Sequence, residues 1–196
     1  MRFSNQITKL SFVAAAALAI ASLPSHAFAA CSTSGSPCNS NAASVSLVAT
    51  LGESLTVSTG ATSQLTFNLT DGQTTAAGSV PVTTSWVLLP SRTTVKVYGY
   101  FASSTAALTD GYTTPDNIPS SDVLADGGSL GTTFTAFSNT NSGFGAASAS
   151  LLLDTISVGS SFVSNKADTI NLEVATPATL PAGTYNGSIT FQAQAN

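Results

Sequence analysis

Beyond Ala43 the sequence alternates apolar and polar residues with a period of two, and little interrupts it. Val45, Leu47, Ala49 and Leu51 share one parity against Ser44, Ser46 and Thr50. Leu55 and Val57 follow, then Leu65, Phe67 and Leu69 against Gln64, Thr66 and Asn68. The pattern returns over 80–89, 92–101, 150–158, 168–175 and 184–195, and more briefly over 132–137. Successive side chains on a strand point to opposite faces, so each run predicts a strand with one packed and one polar face. No segment keeps the three-four spacing of an amphipathic helix. The runs are short and bounded by Gly, Pro, Asn, Asp or Ser. Together they predict an all-β chain with a single antiparallel β-sandwich over 44–196. Two stretches break the rhythm and are expected to be loops: the acidic connection 109–128, with Pro115 and Pro119, and the segment 137–149 around Phe144.

The first residues read differently. Arg2 and Lys9 precede an apolar run over 11–23 that is too short to span a bilayer. Pro24 follows it, and Ala27-Phe28-Ala29 fits the small-x-small cleavage rule. The expectation is a signal peptide over 1–29, cleaved after Ala29 or Ala30, and hence a secreted, periplasmic or surface-displayed protein. Phe28-Ala-Ala-Cys31 is a poor lipid-attachment box, and Pro24 favours ordinary cleavage. Residues 30–43 are expected to be a flexible polar segment; they hold both cysteines, Cys31 and Cys38, which an oxidising compartment favours pairing. That bridge would staple a small polar loop. No later segment is apolar for long enough to cross a membrane as a helix, so no integral membrane segment is expected in the mature chain.

Charge and residue type narrow the chemistry. The single histidine, His26, lies in the signal segment, which removes histidine-based triads, dyads and metal sites from the mature chain. Charged residues are 7% of the sequence, and after cleavage Arg92, Lys96 and Lys166 face nine acids, so nucleic acid is not an expected partner. Glu53 and Glu173, the two glutamates, each sit on or beside a predicted strand and make an unconvincing pair for glycoside hydrolysis. The chain is therefore read as non-enzymatic and without a cofactor. Asp110, Asp116, Asp122 and Asp126 are a weak candidate for a calcium loop, with ordinary turn formation as the simpler account. Trp86 shares parity with Val80, Val82 and Leu88 and belongs in the core. Tyr98 and Tyr100 share a face with Lys96 and are the candidates for stacking on a sugar ring, the basis of an alternative reading as a glycan- or surface-binding module. A further possibility is assembly. Charged edge residues are the usual guard against strand-to-strand association, and only Lys96, Lys166 and Arg92 are at hand to supply basic ones.

The stretch Leu180-Pro-Ala-Gly-Thr-Tyr-Asn-Gly-Ser-Ile-Thr-Phe191 carries a Gly-x-Tyr entry followed by alternating apolar residues. It resembles the terminal strand of bacterial fimbrial subunits and of spore-coat-U-type secreted proteins. The exported precursor, the N-terminal cysteine pair and the Ser/Thr-rich β body are similar to those families as well. The resemblance implies an immunoglobulin-like, fimbrial-type sandwich and a fimbria- or coat-like surface subunit associating through strand edges by β-augmentation. It also implies other copies of the chain or other surface subunits as partners, delivered by a periplasmic chaperone and usher. The expected assembly strands are Val45, Leu47, Ala49 and Leu51 at one end and Tyr185, Ile189 and Phe191 at the other. Val45–Leu51 is either a donor to a neighbour or the first strand of its own domain. Gly187 shares the inward parity of the tail and is expected to leave a gap there.

Overall fold

The computed structural model describes residues 44–62, 64–112, 116–140 and 143–196; the signal segment and the Cys31–Cys38 pair lie outside these. The chain divides after Ala49. Residues 44–50 belong to no strand and are exposed throughout, with Val45, Leu47 and Val48 at 83–90%. Val45–Leu51 forms no strand, and among the described residues the strands lie beyond Thr50.

In chain order these are β1 (Ser54–Ser58), β2 (Thr74–Val87), β3 (Thr94–Tyr100), β4 (Leu108–Thr109), β5 (Asn117–Ile118), β6 (Val123–Asp126), β7 (Thr135–Ala136), β8 (Ser150–Ser157), β9 (Val163–Ala175) and β10 (Thr190–Ala195). Two 3-10 turns, Ser120–Asp122 and Gly128–Leu130, flank β6, and the described residues include no α-helix. Every pairing is antiparallel. One sheet runs β1-β2-β9-β6-β7, a second β10-β3-β8, and β4-β5 form a small ribbon. The all-β antiparallel expectation is met, and the architecture is consistent with a β-sandwich. The segment 109–128 is more than the loop expected: it contributes β5 and β6, and β6 pairs with β9 over Val123↔Val174 to Asp126↔Asn171. Its strands are too short for periodicity to reveal.

The inward residues of the two sheets meet in one large cluster. Val80, Val82, Ile170 and Leu172 of the first sheet pack on Val97, Leu151 and Leu153 of the second, with Phe137 edge-on to Phe101. A smaller cluster of Trp86, Leu88, Val95 and Val158 fills the other end, as the parity of Trp86 predicts, and the indole Nε1 donates to Ser161 O at 2.9 Å. A polar layer separates the clusters. Register places Val82 opposite Asp168, Thr84 opposite Lys166, and Val97 opposite Asp154, so these polar side chains share the inward faces. Lys166 Nζ lies 2.5 Å from Asp154 Oδ2 and 3.2 Å from Asp168 Oδ1. Ser129 Oγ donates to Asp154 Oδ1 and accepts from Thr155 N. Lys166 therefore lies on an inward face, tied to carboxylates, rather than guarding a strand edge.

Candidate functional site: a groove between two unpaired segments

Residues 64–69 follow β1 and alternate without interruption. Leu65, Phe67 and Leu69 are half-buried against the main cluster while Gln64, Thr66 and Asn68 are exposed. The pattern predicts a strand, and the side chains obey it. The backbone does not: 64–69 joins no ladder among the described residues. A strand-like segment that buries one face without pairing leaves its main-chain donors and acceptors unmatched along an edge.

The terminal segment faces the same situation. Predicted as one strand over 184–195, it pairs with β3 only from Thr190 onward; upstream it makes a single bridge, Asn186 to Thr109. Asn196 and Thr94 exchange both main-chain hydrogen bonds, so the even-numbered residues of β10 point their N–H and C=O groups at β3. Phe191, Ala193 and Ala195 point theirs the other way, where β10 joins no ladder among the described residues although β1 packs beside it. The same three residues turn their side chains inward, half-buried.

Between these two flanks lies an open groove of about 970 Å³. Leu65, Phe67 and Leu69 form one wall, Tyr185, Ile189 and Phe191 the other, and Val80, Phe101, Val123 and Leu172 belong to the floor. The three tail residues expected to pack inward do so. Gly187 does not leave the gap expected of it, because a Cβ there would stand 1.9 Å from Ala107 O; the small ribbon already fills that place. Burial, aided by the charges of Asp110 and Asp116, pushes the Tyr185 phenol above its ordinary pKa, and its hydroxyl donates to Pro181 O at 2.7 Å.

Two of the other edges are covered or short. The free side of β8 is met by Ser129 Oγ at Thr155 N and by Asn139 N at Ser150 O, and β7 is two residues long. At the start of β1, Glu53 accepts from Leu89 N at 2.9 Å and from Arg92 Nε and Nη2 at 3.1 and 3.0 Å. Hydrogen bonds from Arg92 and from Leu89 N hold the Glu53 carboxyl below its usual range. Arg92, like Lys166, is thus engaged rather than spread along an edge.

The other sequence candidates are placed as follows. Tyr98 is 7% exposed, covered by Phe144 at a ring separation of 5.1 Å, and Phe144 also stacks on Tyr100 at 6.1 Å. The Tyr100 hydroxyl donates to Gln192 Oε1. The open aromatic platform expected of this pair is thus covered by the 137–149 loop; a period-two pattern shows which side chains share a face and says nothing of what lies over it. Asp110 and Asp116 flank the ribbon turn, Asp122 sits in the first 3-10 turn, and Asp126 is buried on β6 and accepts from Asn171 Nδ2 at 2.6 Å. No group of three or more metal-ligating side chains occurs among the described residues. Missed in the sequence was the Asp154–Lys166–Asp168 cluster, whose only signal was charge at inward parity on predicted strands.

No family model, curated protein or solved structure matches the chain.

Proposed function

We propose that this chain is a secreted, non-enzymatic surface-structural subunit with an immunoglobulin-like, fimbrial-type sandwich, exported by the signal peptide at 1–29, that assembles with other copies of itself by β-augmentation. The observation carrying this reading is the groove of about 970 Å³ flanked by 64–69, which joins no ladder among the described residues, and by a tail that pairs along one side only. A groove of that kind fits one more strand: main-chain hydrogen bonds to both flanks and an apolar face turned to the floor.

The occupant is residues 44–51 of a second copy. Val45, Leu47, Ala49 and Leu51 share one parity, the segment contains no charge, and Val45, Leu47 and Leu51 are 78–90% exposed. Seven residues of strand span about 23 Å, the length of the run from Tyr185 to Phe191 on one flank. Each large aliphatic side chain that enters contributes about 1.5–3 kcal/mol, partly offset by the ordering of both partners.

The test is a complementation experiment. Purified mature chain should form concentration-dependent oligomers or filaments. Leu47→Asp should remove the donor strand and Phe67→Asp should block the groove, so neither variant assembles alone. Mixed together they should form a heterodimer and stop there, since one good donor meets one good groove. A wild-type chain that stays monomeric at all concentrations in the presence of its export machinery defeats the reading, and so does unimpaired assembly of both variants.

A further inference from the structure

The polar layer inside the sandwich has a composition that a structural ion pair does not need. One amine is shared by two carboxylates, in a position that faces the opposite sheet. Asp154 and Asp168 side chains are 2% and 10% exposed, while Lys166 is 39% exposed. Lys166 Nζ lies 2.5 Å from Asp154 Oδ2, an ion-pair contact that holds the amine beside the carboxyl group whose Cγ it would attack. The second carboxylate is 3.2 Å from the same nitrogen. Ser129 Oγ, fixed by the hydrogen bond it accepts from Thr155 N at 2.9 Å, donates to the other oxygen, Asp154 Oδ1.

We propose that Lys166 and Asp154 join in an intramolecular amide bond, formed by the folded chain itself, which ties β9 of one sheet to β8 of the other. Lys166 Nζ is the nucleophile and Asp154 Cγ the electrophile. Asp168 takes protons from the nitrogen and passes them on, and Ser129 Oγ–H steadies the charge that builds on Oδ1 as Cγ becomes tetrahedral. The N–Cγ bond forms and the Cγ–Oδ2 bond breaks. Of the three protons on the ammonium, one remains as the amide N–H. Two travel by way of Asp168 to Oδ2, which departs as water, and nothing is oxidised or reduced.

Before the bond forms, burial is the largest single influence on all three groups and opposes the charge on each. Burial and then the charge of Asp154 push Asp168 above the usual carboxylate range, as a proton carrier requires. Against burial, hydrogen bonds from Lys166 and Ser129 hold Asp154 low, and those to Asp154 and Asp168 hold Lys166 high. The ion pair is thus the resting state, and reaction proceeds through the neutral form reached by proton transfer from Lys166 to Asp168. Condensation of a free amine and acid in water is unfavourable; held reactants and exclusion of water from the carboxylates reverse this.

Tryptic mapping of the purified full-length or naturally processed chain decides the matter, because Lys166 is the sole cleavage point between Lys96 and the terminal Asn196. An amide at Lys166 blocks trypsin, so the expected product is one peptide, 97–196, lighter by one water than its sequence mass. Asp154→Asn should form the same link with loss of ammonia in place of water. Lys166→Arg and Asp168→Asn should leave the link unformed, with circular dichroism showing that both still fold. Separate, unmodified 97–166 and 167–196 peptides from the wild type overturn the proposal. A link that survives in Asp168→Asn overturns the part assigned to Asp168.

Discussion

At Gly145 a single hydrogen holds a loop in place. Its φ is +71°, and a Cβ there would stand 2.6 Å from Tyr100 Cδ2 and 2.7 Å from Phe101 O. The close approach lets Phe144 cover Tyr98 and Tyr100. Gly145→Ala is expected to cost about 1–3 kcal/mol and to uncover Tyr98, measured by denaturant unfolding and by tyrosine fluorescence quenching. Glu53 makes a second residue-scale prediction. Its carboxyl is held below the usual range, so its contribution is present above the ordinary carboxylate value of about 4.3 and is lost as pH falls through the lowered one. The Leu89 amide resonance should titrate in that acid window in the wild type and lose the titration in Glu53→Gln.

Elements differ in how completely their own pattern describes them. β2 and β9 pair over their whole lengths, apart from an irregularity between Ala76 and Gly78, so alternation and ladder coincide there. The 64–69 segment alternates just as well and pairs with nothing described. Period two reports which side chains are buried, while pairing depends on which backbone runs alongside, and no local pattern encodes that. The contrast predicts an exchange pattern along β10. In the monomer, amides of Phe191, Ala193 and Ala195 should exchange fast and those of Gln192 and Gln194 slowly, by native-state hydrogen exchange. On assembly the fast set should become protected. Protection of both sets in a verified monomer would mean that something already occupies the groove.

For the whole molecule, a seam whose one charged lining residue among those described is Asp71 sets the response of the proposed assembly to solvent. Apolar side chains and main-chain hydrogen bonds carry the proposed assembly, and the donor residues 44–51 bear no charge. Raising sodium chloride should leave its extent nearly unchanged, while sulfate should promote it; light scattering across a salt series reads both. Assembly that dissolves in about 0.5 M sodium chloride would point instead to a seam held by ion pairs.

Sequence alone settled what depends on one residue and its near neighbours. Alternation identified the strands on either side of the core, the parity of Trp86 put it inside, and the parity of Tyr185, Ile189 and Phe191 turned them inward. The position of its one histidine decided which catalytic machinery the mature chain would lack if the leader is removed. Only the tertiary structure decided what depends on residues far apart in the chain. It brought Asp154 onto Lys166 and Asp168, laid Phe144 over Tyr98, drew β6 out of an apparent loop, and left a gap between 64–69 and the tail residues 185–191. Burial of a side chain is written in periodicity because hydrophobicity is a property of single residues. A groove is an absence between two segments more than a hundred residues apart, and no single residue carries it.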